Sequence, residues 1–247
     1  MTTSPLILSL ETATLAGSIS ISRDGNVLAS CGGNPAVSHS NTLLRDIDDL
    51  LSQVNLTIRD VDLFAVANGP GSFTGLRIGI ATVKALAATL HRPCVGVPTL
   101  AAIAHSAGLS PATVSLLPAG RGEVFVELFS SSADDIVVEL DQPEHLSPVR
   151  ALEKYWDHEA LRWAGEGAQL HANLIREGAV RKGYRFVEEN NVGRRADTNA
   201  WVLANPAVNL AEHVASLAVI RFSQDRDQTV NTLRAIYVRP SDAELKL

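Results

Sequence analysis

Apolar residues along this chain recur with two different periods. Near the N-terminus they form short dense runs, "LILSLE" (6–11), "GSISIS" (17–22) and "NVLASC" (26–31), which read as three strands. The Asp24-Gly25 pair inside "RDGN" is a two-residue hairpin signal between the second and third runs. From Ser38 the period lengthens. Leu43, Leu44, Ile47, Leu50, Leu51 and Val54 recur at three- and four-residue steps, with Arg45, Asp46, Asp48 and Asp49 between them, as in an amphipathic helix. "VDLFAVA" (61–67) reads as a nearly continuous apolar strand, followed by a glycine-rich turn and a helix through about Leu90. "PCVGV" (93–97) gives another strand, and "PTLAAIAHSA" (98–107) a helix with Pro at its start.

The second half repeats this order. "TVSLLPA", "EVFVELF" and "DIVVEL" read as three strands, "PVRALEKYW" as a helix, "LRWAG" as a strand, "GAQLHANLIREG" as a helix, "YRFVE" as a strand and "AVNLAEHVASLAVIRF" as a long helix. Two copies of one order point to an internally duplicated α/β protein whose mixed sheets are flanked by helices. "AHSAGLSPAT" (104–113), small, polar and broken by Gly and Pro, marks the boundary between domains expected at 1–107 and 108–247. The last helix is a candidate to pack back on the first domain.

"NGPGSFTGLRIG" (68–79) is the segment richest in candidate chemistry. A strand, a glycine turn and a helix N-terminus can present N–H groups to a phosphate. Yet Gly69-x-Gly71-x-x-x-Gly75 is not a dinucleotide fingerprint, no Lys-Ser or Lys-Thr follows as in a P-loop, and Pro70 breaks the nucleophile-elbow pattern around Ser72. The structural alternative has Ser72 capping the helix by accepting from an N–H near Gly75. In that helix Leu76, Ile80, Val83, Ala87 and Leu90 form one stripe, but Ile78, Ala81, Ala85 and Ala88 extend apolar surface round much of the rest. Arg77, Lys84 and His91 leave only a narrow polar line. Such a helix is either buried between layers or docked on another chain.

Composition narrows the classes. At 247 residues, 46% hydrophobic and net charge -6, the chain is globular and does not coat nucleic acid by bulk electrostatics. Cys31 and Cys94 are too few for a disulfide framework or a structural zinc site. "MTTSPLILSLETAT" lacks a basic leader, so no signal peptide or membrane anchor is expected, and cytoplasmic residence follows. The seven histidines contain no H-E-x-x-H and no pair three or four residues apart, so no helix-borne metal pair is expected.

Other candidates carry two readings each. His39, before the amphipathic helix, faces water or an interface. Glu11, beside Thr12 and Thr14, is a metal-water acid in a nucleotide site or a satisfied loop carboxylate. Arg121 and Glu123 form a site or a cross-strand pair. Arg176, Arg181, Lys182, Arg185, Arg194 and Arg195 meet tRNA or an acidic partner, or form a solvated surface diluted by Glu177, Glu188 and Glu189. Trp156, Trp163 and Trp201 show no stacking ladder and read as core.

"ANGPGSFTGLRIGIATVKALA", taken with "SLETAT", "GEVF", "GEGA" and "YVRP", resembles the TsaB (YeaZ) family over nearly the whole chain. The resemblance implies two tandem actin-like (ASKHA, RNase H-like) domains. It implies a non-catalytic scaffold or activator in the bacterial machinery that makes threonylcarbamoyladenosine (t6A) next to the tRNA anticodon. There the related subunit TsaD carries the metal-supported transfer of threonylcarbamoyl from its adenylate, and the ATPase TsaE joins the TsaB–TsaD dimer. Docking on TsaD would run through the segments 39–54 and 73–90, with His39, Leu43, Leu44, Ile47, Arg77, Ile80, Val83, Lys84 and Ala87 as interface residues. Nucleotide contacts, if the chain makes them, would fall on Glu11, Thr12, Gly69, Gly71, Ser72 and Thr74. No cofactor would be held firmly, with ATP or ADP a candidate at the interface of the complex, and tRNA would be met through the complex. A homodimer of the isolated chain is a further expectation.

Two departures stand out. The family usually has Asp where this chain has Glu11, and commonly Asp-Ala-Arg where this chain has Pro118-Ala119-Gly120. Acids at these turns organise metal and water in actin-like ATPases, and Pro118 supplies none. The rival reading, an autonomous actin-like ATPase or small-molecule kinase, would use Glu11 and the Gly69–Thr74 turn. A third, a glycoprotein-cleaving metallopeptidase, would require a bound metal.

Overall fold

The structure is a computed structural model that describes residues 4–32, 39–133, 136–189 and 200–239. The chain forms two compact units, Met1–Ala102 with Val208–Tyr237, and Ile103–Ala207 with Val238–Leu247. The division therefore falls five residues before the expected 107/108 boundary, and the chain re-enters the first unit at Val208.

In the first unit, β1 (Ile7–Glu11), β2 (Ser18–Arg23) and β3 (Asn26–Gly32) form the expected antiparallel meander. Asp24 and Gly25 take φ of 56° and 72°, the left-handed pair that the right-handed twist of a two-residue hairpin demands. After α1 (His39–Gln53), β4 (Leu63–Ala67) adds in parallel to β1 and β5 (Cys94–Val97) adds in parallel to β4. The sheet order is β3-β2-β1-β4-β5. Between β4 and β5 runs α2 (Phe73–Leu90), and after β5 comes α3 (Thr99–Ser106).

Strand alternation gives this sheet two unlike faces. Leu8 and Leu10 of β1, Ile19 and Ile21 of β2, and Phe64 and Val66 of β4 form one core with Leu43, Ile47, Leu50 and Leu51 of α1 and Val83 and Ala87 of α2. Each buried Leu, Ile, Val or Phe among them contributes about 1.5–3 kcal/mol. The alternate positions carry Ser9, Ser18, Ser20 and Ser22, a row that by polarity reads as a wet face but is buried. α7 (Leu210–Gln224) packs on this sheet with its small side chains Ala211, Ala215 and Ala218 buried. The Ser9 hydroxyl donates to the Ala211 carbonyl at 2.8 Å, and the Ala211 N–H donates to the Ser18 hydroxyl at 3.0 Å.

The second unit is built on β6 (Ser110–Gly120), β7 (Glu123–Ser131), β8 (Val137–Glu139), β9 (Glu144–Leu146), β10 (Leu161–Ala164), β11 (Arg185–Glu188) and β12 (Ala200–Leu203). Its order, β11-β12-β10-β6-β7-β8 with β9 beside β7, repeats the first sheet's arrangement and adds β11 at one edge. Helices α4 (Pro148–Lys154), α5 (Glu166–Leu170) and α6 (Ala172–Lys182) complete it. The expected single helix at 167–178 is thus two, broken at His171. Two strands were not expected, β9 and β12. β12 lies between β10 and β11, where Trp201 packs on Trp163 with ring centroids 5.1 Å apart and donates from Nε1 to the His158 carbonyl at 2.8 Å.

Candidate functional site

The glycine-rich turn joins β4 to α2, and four of its N–H groups, those of Asn68, Gly69, Ser72 and Gly75, are bonded within the chain. The Asn68 N–H donates to the Val97 carbonyl at 2.9 Å, the Gly69 N–H to the Thr99 hydroxyl at 3.2 Å, and the Ser72 N–H to the Ala13 carbonyl at 2.8 Å. The Gly69 carbonyl accepts from the Thr99 N–H at 2.8 Å. Gly69–Pro70 is a cis peptide, and Gly69 has φ of 121°. The Ser72 hydroxyl accepts from the Gly75 N–H at 3.3 Å, the cap foreseen from sequence.

These glycines are sites of close backbone approach. A Cβ on Gly69 would collide with the Ile236 carbonyl, and one on Gly71 would lie 2.6 Å from the Ala13 Cβ. Gly75 and Gly79 face Thr12, whose carbonyl and hydroxyl occupy the space a side chain would need. The motif therefore draws α2 against the loop after β1. A phosphate cradle needs N–H groups pointing at open space, and the Asn68, Gly69, Ser72 and Gly75 N–H groups point at protein acceptors.

Glu11 and Thr12 belong to the same joint. Glu11 is 1% exposed; its carboxylate accepts from the Thr14 N–H at 2.7 Å and from the Thr14 hydroxyl at 2.6 Å. The Thr12 hydroxyl donates to the Gly75 carbonyl at 2.8 Å. Of the six candidate nucleotide contacts, only Ser72 and Thr74 present exposed side chains.

The predicted interface residues separate by face. Leu43, Ile47, Val83 and Ala87 are buried in their own unit's core, so an interface drawn through them is corrected. Leu44 is 64% exposed, Arg77 is exposed, and Ile80 and Lys84 are half-buried, so these four can reach another molecule. His39 begins α1, and its side chain lies outside the described residues. α2 is long and apolar enough by length and composition to cross a membrane, yet 28% of its residues are buried. Its inward stripe, Leu76, Val83 and Ala87, is locked into the sheet, while Ala81, Ala85, Ala88 and Thr89 are exposed.

A feature missed by sequence reading lies where the C-terminal segment returns. The Ile236 N–H donates to the Asn68 carbonyl at 2.7 Å and Asn68 Nδ2 donates to the Arg234 carbonyl at 2.9 Å. This brings the Tyr237 ring to 5.2 Å from that of Phe73, the first residue of α2, and the Arg77 guanidinium carbon lies 3.8 Å from the Phe73 ring centroid. No local periodicity links positions 73 and 237.

In the second unit, Arg121 and Gly122 form the tip of the β6–β7 hairpin, with φ of 54° and 78°. In the strand register Gly120, not Arg121, stands opposite Glu123. The Glu123 carboxylate lies 2.9 Å from His145 Nε2. The basic cluster is partly neutralised: Arg176 meets Glu188, Lys182 lies 2.8 Å from Asp157, and Arg181 and Lys182 pack over Trp156. Arg194 and Arg195 lie outside the described residues. Glu127, 3% exposed on β7, has its carboxyl pushed up to about 8 by burial, reinforced by Glu139 and Asp141. It pairs across the ladder with Ser115, whose hydroxyl is buried. Among the described residues, no group of three or more His, Cys, Asp or Glu is placed to hold a metal ion.

Comparison with known proteins gives this geometry its relatives. The family model TsaD, tRNA N6-adenosine threonylcarbamoyltransferase, matches residues 32–162. The chain is 35% identical over 122 residues to the tRNA threonylcarbamoyladenosine biosynthesis protein TsaB of Escherichia coli (strain K12), a match covering 48% of this chain and 52% of that one. It is 28% identical over 182 residues to the TsaB of Bacillus subtilis (strain 168), covering 72% and 78%. The chain thus spans about half the length of the first of these relatives and over three quarters of the second. A tRNA N6-adenosine threonylcarbamoyltransferase from Protochlamydia amoebophila (strain UWE25) is 42% identical over 72 residues, covering 29% of this chain and 21% of that one. Among solved structures, YeaZ from Pseudomonas aeruginosa superposes with a TM-score of 0.72 at 25% identity, covering 94% of this chain and 99% of that one.

Proposed function

The chain belongs to the TsaB (YeaZ) family, and from that premise we propose that it is a non-catalytic scaffold and activator subunit of the bacterial t6A machinery. It heterodimerises with TsaD and supports transfer of threonylcarbamoyl from threonylcarbamoyl-adenylate to the adenosine adjacent to the tRNA anticodon. TsaE joins the pair, tRNA is met through the complex, and the protein works in the cytoplasm.

The observation that carries this reading is α2. One side closes the core of its own unit, and the other leaves apolar surface uncovered. Uncovered apolar area beside a few basic side chains is the character of a docking face. Its neighbour α1 carries Asp46, Asp48 and Asp49 against one Arg45, while α2 carries only Arg77 and Lys84. A like-folded partner turned about a two-fold axis would set acidic helix against basic helix. The matched span 32–162 includes both helices, which supports a TsaD-type paralogue as that partner. The usable surface is Leu44, Arg77, Ile80 and Lys84 with the exposed alanines of α2.

The intrachain bonds of Glu11, Thr12 and the Asn68, Gly69, Ser72 and Gly75 N–H groups disfavour chemistry at this end of the sheet. Nucleotide at the complex would then rest on Ser72 and Thr74 or on groups of the partner. The test is to mix the protein with TsaD from the same organism and measure co-elution and threonylcarbamoyl transfer to tRNA. Complex formation with stimulated transfer is expected; no complex and no stimulation would overturn the proposal. Magnesium-dependent ATP turnover by the isolated chain, lost in Glu11→Ala, would instead favour the ATPase reading.

A further inference from the structure

The C-terminal return segment does more than close the first unit. Leu233 is 3% exposed and packs in the core with Cys94 of β5, and the backbone at Arg234 and Ile236 is pinned to the side-chain amide and the carbonyl of Asn68. Tyr237 is thereby delivered to the first turn of α2 with half its surface exposed. There its ring packs on that of Phe73, tilted by 39°, and Phe73 is also covered by the Arg77 guanidinium. Phe73, Arg77 and Lys84 lie near one line along α2, since 4 and 7 residue steps return to one side of a helix. That line borders the exposed alanines. Tyr237, Phe73 and Arg77 are the large side chains at the N-terminal end of an otherwise small-residue surface. Ring–guanidinium stacking holds Arg77 in one arrangement before any partner arrives, which lowers the ordering cost of binding.

We propose that Tyr237, Phe73 and Arg77 form an anchor of the docking face for the TsaD-type partner, with Tyr237 supplied by the C-terminal segment. This rests on the docking reading above and adds to it a residue remote in sequence from both helices. Aromatic and arginine side chains held rigid at the edge of a small-residue surface are the groups that carry most binding energy at protein interfaces. The basic guanidinium at this end suits the acidic member of a facing helix pair.

The experiment titrates full-length protein into TsaD from the same organism by calorimetry, using wild type, Tyr237→Ala, Tyr237→Phe, Arg77→Ala and Ala85→Glu. Circular dichroism and thermal melting of each variant report its fold. Hydroxyl-radical footprinting of Tyr237 with and without TsaD reads contact directly. Tyr237→Ala and Arg77→Ala are each expected to weaken binding about tenfold or more, consistent with interface aromatic and arginine truncations. Tyr237→Phe should stay within about twofold, because the ring and not the hydroxyl makes the contact with Phe73, and Tyr237 should be protected in the complex. If Ala85→Glu abolishes binding while Tyr237→Ala stays within about twofold and Tyr237 is unprotected, the anchor is refuted and the docking face stands. If wild type does not bind, or Ala85→Glu binds like wild type, the docking face falls and the anchor with it.

Discussion

The Thr12 hydroxyl donates to the Gly75 carbonyl at 2.8 Å, and the Thr12 carbonyl fills the space where a Gly75 side chain would begin. One residue of the loop after β1 thus bonds α2 and also forbids it any bulk. The glycine motif is a joint between two elements, and its worth is measurable as stability.

Gly75→Ala forces α2 away from Thr12, because the obstruction is backbone and has no rotamer to escape into. A loss of at least about 2 kcal/mol is expected, the range of overpacked or strained sites. Gly25→Ala, at the open hairpin tip with nothing within 4 Å, should cost only about 1 kcal/mol from its positive φ. Urea unfolding of both variants checks the contrast; equal losses would refute the joint.

Substitutions on α1 and α2 should divide by face. Val83→Glu and Leu43→Glu place a charge in the core and are expected to abolish folding or remove several kcal/mol. Leu44→Glu and Ala85→Glu should melt within a few degrees of wild type and lose TsaD binding. Melting curves alongside co-elution separate the two outcomes.

Glu11→Ala leaves the Thr14 N–H and hydroxyl without their acceptor. A loss of about 1–2 kcal/mol is expected from the unpaired, half-buried donors. Stimulation of TsaD at low temperature, where the variant remains folded, should be unchanged. A specific loss of stimulation with no loss of stability would assign Glu11 to chemistry.

Glu127 makes stability fall with pH. Its folded carboxyl titrates near 8 and its unfolded one near 4.5, so between these values the folded state keeps a proton that the unfolded state has released. Stability is fully present below about 4.5, declines as pH rises and levels off once the folded carboxyl ionises above about 8. Glu127→Gln stays neutral and should flatten this decline, gaining on the order of 2 kcal/mol relative to wild type at pH 8.5. Denaturant melts at pH 5, 7 and 8.5 read the effect; parallel pH profiles would refute it.

Much of the architecture was legible because it is local. The Asp24-Gly25 hairpin, the span of α2 and the Ser72 cap each depend on residues within a few positions of one another. The duplicated order emerged from periodicity alone. β12 escaped because "AWVL" is four residues long, shorter than a period needs to declare itself, and it is recognised as a strand only by its parallel neighbours β10 and β11. The serine row of β1 and β2 was not singled out from sequence at all. Its alternation places hydroxyls on one face, and α7 covers that face with small side chains while its Ala211 backbone bonds Ser9 and Ser18.

By itself the sequence determined that α2 exists, where it starts and that nearly all of it is apolar. Its apolar circumference could not determine which side turns inward. Tertiary structure decided that, because only Gly75 and Gly79 let the helix close on Thr12, which commits Val83 and Ala87 to the core and leaves Ala81 and Ala85 outside. It also decided that Tyr237 meets Phe73 across 164 positions of chain, a contact made by the hydrogen bonds that tie the returning backbone to Asn68.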